Sequence, residues 1–134
     1  MKIARLTTDD EGRSRWDDID LPVQTDSAAP PAPLSALAVA FGTIPPGLVT
    51  DWHPSAIRGL VVTLSGEVEH EAADGTRRRF GPGGIFLAED TTGTGHRTRS
   101  HGSQPCTGLI IALAVLMHRR PTGGTRPGPR PRWS

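Results

Sequence analysis

The chain is short of several residues and patterns that would decide its class at once. Cys106 is its one cysteine. That excludes an intrachain disulfide framework and a cysteine-based zinc knuckle. Tyrosine and asparagine are absent, and Lys2 is the single lysine. No apolar run approaches the roughly 18 residues of a membrane-spanning helix, so no membrane partner is expected. The first residues, MKIARLTTDDEGR, lack the apolar core of a secretory signal, and a cytoplasmic location is expected. A phosphate-binding G-x-x-x-x-G-K-[ST] loop and a G-x-S-x-G elbow are both missing, which argues against kinase and serine-hydrolase chemistry. At 134 residues the chain is too short for a TIM barrel, which needs about 250.

What is present is punctuation. Sixteen glycines and 13 prolines break the chain often, which disfavours a helical bundle and favours short strands joined by turns. The charge is uneven. The net charge is +1, yet Arg119, Arg120, Arg126, Arg130 and Arg132 crowd the last stretch without an acid. Residues 1–118 therefore hold 10 basic and 14 acidic side chains, a net of −4, which is not the basic face of a nucleic-acid binder. Residues 119–134 read as a disordered basic tail. Residues 1–33 read as a polar arm ending in a proline-rich loop. Residues 34–118 read as one β-barrel domain.

Within that domain the rhythm is that of strands. Leu34–Phe41 is ambiguous between helix and strand by periodicity, and the neighbouring strands favour strand. Leu48–His53 is extended and stopped by Pro54. Leu60–Ser65 is rich in branched residues, and Glu67–Glu71 alternates with period two. Asp74-Gly75 marks a hairpin into Thr76–Phe80. Ile85–Glu89, His96–Ser100 and Thr107–Met117 complete about eight strands, the signature of a sandwich or barrel.

Two pieces of this skeleton carry a resemblance. The first is Pro46-Gly47, five residues, then His53, with Leu64-Ser65-Gly66 closing the next β run. The second is Gly75 through Arg79-Phe80-Gly81-Pro82-Gly83-Gly84, followed by an apolar strand. They resemble the two motifs of the cupin superfamily, G(X)5HXH(X)3,4E(X)6G and G(X)5PXG(X)2H(X)3N. The segment Glu89-Asp90-Thr91-Thr92-Gly93-Thr94-Gly95-His96 is similar to that of small bacterial cupins. The resemblance implies an all-β, jelly-roll barrel, a homodimer, and a metal held by three histidines and a glutamate. Carried over by position, His53 matches the first histidine. The second falls on Ser55, the glutamate on Gly59 and the last histidine on Leu87.

Strand parity suggests a different set. If position 87 faces the interior, Ile85 and Glu89 do as well. His70 should point inward with Val68, because Glu67, Glu69 and Glu71 suit a wet face. His96 opens the next strand. The candidate catalytic residues are therefore His53, His70, Glu89 and His96. In one reading His53, Glu89 and His96 bind iron, manganese or zinc, with His70 as a fourth ligand, for lyase or oxygenase chemistry. In another no metal binds, and a His and Glu pair moves protons in an isomerisation, dehydration or cyclisation. Resemblance to sugar-nucleotide epimerases and polyketide cyclases fits the second. A third reading is a non-catalytic module that holds a small ligand. Each residue also has a plainer role available. His70 would be a core histidine, Glu89 a partner of Arg97 or Arg99, and His96 a surface residue. Cys106 reads as structural, Trp52 as rim packing, and His101 and His118 as solvent-exposed.

Overall fold

The computed structural model describes residues 1–28, 30 and 33–114. The fold is all-β. Strands β1 (Lys2–Thr8), β2 (Ser14–Asp20), β3 (Ala36–Ile44), β4 (Gly59–Ser65), β5 (Glu67–Glu71), β6 (Arg77–Phe80), β7 (Ile85–Ala88), β8 (Arg97–His101) and β9 (Cys106–Leu113) follow one another along the chain. A six-stranded sheet runs β2-β1-β7-β4-β9-β3, and a three-stranded sheet runs β6-β5-β8. The extended segment 48–53 is not a strand of its own. It lies along β8 through two bridges, Val49 to Arg99 and His53 to His96.

The two sheets face each other, and strand alternation decides what lies between them. From the large sheet, Ala4 and Leu6 of β1, Val61 of β4 and Phe86 and Ala88 of β7 turn inward. From the small sheet come Val68 and Phe80. The register agrees, since Val61 stands opposite Phe86 and Ile110. The outer face of the large sheet is also apolar. Ile3, Leu87 and Leu113 are buried there, packed with Leu60, Ile85 and Ile111.

The N-terminal segment departs from the expected arm. Residues 2–20 form a hairpin, and β1 adds to the large sheet parallel to β7. The turn is built by Asp9, whose Oδ1 accepts the backbone N–H groups of Glu11 and Arg13, both at 2.9 Å. Leu6 is fully buried, and Trp16 packs on Phe80 and Phe86 at ring separations of 5.8 and 5.4 Å. The barrel thus begins at β1 rather than at residue 34. The basic segment 119–134, with His118, lies outside the described residues. Among the described residues no helix is long and apolar enough to cross a membrane.

Candidate active site

Between the sheets lies a cavity of about 540 Å³, within the usual range of small-molecule pockets. Its walls are the inward positions of β3, β4, β7 and β9, among them Ala40, Val61, Phe86 and Ile110. His53, His70 and His96 also line it. The ring centres of His53 and His96 are 4.7 Å apart, and those of His70 and His96 are 5.4 Å apart.

The pairing of His53 with His96 comes from backbone geometry. His53 N donates to the His96 carbonyl at 3.0 Å and His96 N to the His53 carbonyl at 2.9 Å. The contact needs a glycine at 95. Gly95 has φ of +73°, and a Cβ there would overlap the carbonyl of His53. Any other residue would force the two histidines apart.

Each ring is held by its Nδ1. His53 Nδ1–H donates to the Asp51 carbonyl at 2.9 Å. His96 Nδ1–H donates to Asp90 Oδ2 at 2.6 Å. Asp90 is fully buried, and its other oxygen accepts the Ser55 hydroxyl at 2.8 Å. The Ser55 backbone N–H also donates to the Asp90 carbonyl at 3.0 Å. A carboxylate so placed fixes the tautomer, leaving Nε2 of neutral His96 without its proton. His70 is buried against Phe86 and shares a hydrogen bond of 3.0 Å between Nδ1 and Thr98 Oγ1. Burial, then the charges of His96 and His53, lower its pKa from 6.5 to about 3, so it is neutral near pH 7. Its core and cavity roles are one role.

Glu89 is the correction. Ile85, Leu87 and Glu89 do share a face, but it is the outer one, while Phe86 and Ala88 face the cavity. Glu89 accepts from Arg58 Nε at 2.7 Å and lies 3.7 Å from Arg5, not beside Arg97 or Arg99. Arg5 in turn holds the Asp17 carboxyl below its ordinary pKa through their hydrogen bonds. Strand parity holds and the face is the opposite one, because Leu87, where the resemblance places the last motif histidine, points outward. Gly93-Thr94-Gly95-His96 satisfies the same G(X)2H ending, with Thr91 where the motif has proline. That spacing was the available signal for His96. Asp90, which sits six residues earlier, was missed.

The metal reading fares accordingly. Among the described residues no three His, Cys, Asp or Glu side chains form a group that could hold a metal ion. His53 and His96 meet, Glu89 does not join them, and both Asp90 oxygens already accept hydrogen bonds. The position of the motif glutamate is closed too, since a Cβ on Gly59 would sit 2.7 Å from the Ile111 carbonyl oxygen. These residues do not fit a two-histidine, one-carboxylate centre. Cys106 also lines the cavity, and burial pushes its thiol pKa up, away from nucleophilic use. His101 is half-buried and lies 3.2 Å from Glu69, rather than free in solvent.

The motif glycines fall at the turns the barrel needs. Gly47, Gly66 and Gly83 all take positive φ, and a Cβ on Gly66 would overlap the Pro105 carbonyl. With two facing sheets around a histidine-lined cavity, these turns decide the architecture. The fold is a cupin-type jelly roll.

No family model matches the chain, and no curated protein matches it. Solved structures of the cupin fold do. A cupin domain from Bordetella pertussis shares 20% identity over 57% of this chain and 80% of its own, with a TM-score of 0.46. An RmlC-like cupin from Desulfovibrio desulfuricans shares 16% over 84% and 81%, with a TM-score of 0.43. A mutant of Bacillus subtilis oxalate decarboxylase shares 25% over 59% of this chain and 22% of its own, with a TM-score of 0.45.

Proposed function

We propose that this cupin barrel is a small-molecule enzyme site that transfers protons, with the Asp90–His96 pair as its oriented base. The observation that carries the reading is the buried carboxylate on His96 Nδ1, with Ser55 on its far oxygen. That arrangement aligns the ring and stabilises the imidazolium once it forms, as a third group does for many catalytic histidines. His96 Nε2 then takes a proton from a carbon beside a carbonyl. His53, whose ring lies 4.7 Å from that of His96, lines the same cavity, and His96 returns its proton at a neighbouring carbon. Isomerisation, dehydration and cyclisation of enolisable compounds all begin with that step. Positioned acid–base groups of this kind supply about 10²- to 10⁴-fold in rate.

Deuterium incorporation into a panel of simple ketones in heavy water, followed by proton NMR, tests the reading. Wild-type protein should catalyse exchange beside the carbonyl. His96→Ala should abolish it, and Asp90→Asn should slow it at least ten-fold. Exchange that is absent in the wild type overturns the proposal and leaves a ligand-binding barrel without chemistry, and exchange that is equal in Asp90→Asn overturns the Asp90–His96 pair as the base.

A further inference from the structure

The cavity's lining has a chemical bias that narrows its ligand. Among the described residues, no side chain that lines it carries a permanent charge. The acids and arginines face elsewhere. Arg58 turns outward to Glu89, and the acids of β5 lie against Arg77 and Arg79 on the far side of the small sheet. The polar lining is made by His53, His70 and His96 together with Ser55, Thr43 and Thr63. Two further facts bear on charge there. His70 stays neutral near pH 7, as its burial dictates. Behind His96, on its Nδ1, stands the fully buried Asp90 carboxylate.

An anion entering this cavity would leave water and meet no guanidinium or ammonium group. It would also approach a buried negative charge in a medium of low dielectric. Burying an unpaired charge is strongly unfavourable. A carbonyl or hydroxyl oxygen loses far less, since it carries no net charge, the Thr43 and Thr63 hydroxyls on the walls can donate to it, and a ligand hydroxyl can donate to the unprotonated Nε2 of His96. We infer that the barrel selects neutral, mainly apolar ligands that present one carbonyl or hydroxyl oxygen to this uncharged polar lining, and that it rejects carboxylates and phosphates. This deepens the proton-transfer reading by naming the substrate class, and it rests on that reading only for the site.

The probes are a matched pair of bicyclic compounds, 2-acetylnaphthalene and 2-naphthoate, titrated by calorimetry into the full chain at pH 7.5. The ketone should bind at least ten-fold more tightly. Ala56→Trp, a change at an exposed cavity residue, should block it. Ala40→Arg puts a guanidinium on the exposed wall strand β3 and should reverse the preference toward naphthoate. Equal or tighter binding of naphthoate by the wild type overturns the inference. So does ketone binding that survives Ala56→Trp, or a failure of the wild type to bind the ketone at millimolar concentration. A clear ketone preference without any deuterium exchange would overturn the proton-transfer reading alone.

Discussion

Acid should unfold this protein by a route that passes through His70. Its imidazole is buried against Phe86 and Phe80, and its pKa falls from 6.5 to about 3. The unfolded chain takes up this proton as the pH falls through 6.5, whereas the folded chain resists until about 3. Between those limits the unfolded state binds more protons, so stability falls as the pH falls. The slope is about 1.4 kcal/mol per pH unit when the difference is a whole proton. Across the whole window the loss approaches roughly 5 kcal/mol, an upper bound because water entry would relieve it. His70→Gln removes the titration and keeps a polar group for Thr98. At pH 7.5 the variant should be the less stable by about 1–2 kcal/mol, from poorer packing and an altered hydrogen bond. Urea unfolding at half-unit steps from pH 7.5 to 4.5 should show the two curves converging below pH 6.5 and meeting near pH 5. Parallel curves would refute the reasoning, since they would mean that the buried imidazole accepts its proton as readily folded as unfolded.

Three other outcomes follow from the geometry. Gly95→Ala should cost at least 2 kcal/mol in urea unfolding, because φ of +73° and the His53 carbonyl leave no room for a methyl group; an unchanged midpoint would contradict the close approach. Elemental mass spectrometry of protein purified without chelator should find iron, manganese and zinc well below one equivalent, and a full equivalent that disappears in His53→Ala would reinstate a metal centre. The homodimer expected from the sequence has a face available, because edge strand β3 exposes Val39 and Phe41 to 58% and 72%. Sedimentation equilibrium should give two chains per particle and Phe41→Asp one; a monomeric wild type would sink that expectation.

Much of the fold was legible because its signals are local. The branched run at 60–65, the alternation of Glu67–Glu71 and the Asp74-Gly75 turn each point to strand structure without reference to the rest of the chain. The alternation also placed His70 inward correctly, since three acids on one face leave the other dry. The N-terminal hairpin was less visible. Its turn is written in Asp9 and Gly12, but β1 pairs parallel with β7 some eighty residues away, and no local pattern encodes that partner. The site was legible only in part for the same reason. Parity shows which residues share a face, not which face is inside, and Glu89 shares with Leu87 the face that turns outward. Asp90 sits in a polar stretch that reads as a loop, so neither hydrophobicity nor periodicity distinguishes it. Its burial is a tertiary fact, created where Ser55 and His96 converge on it.

The account turns on the state of one imidazole, and long-range proton–nitrogen NMR of uniformly labelled protein reads that state directly. At pH 8 the His96 ring should carry its proton on Nδ1, with an unprotonated Nε2 whose signal moves when 2-acetylnaphthalene is added, and Asp90→Asn should disturb that pattern. A wild-type His96 protonated on Nε2 alone, or one indifferent to Asp90→Asn, would contradict it.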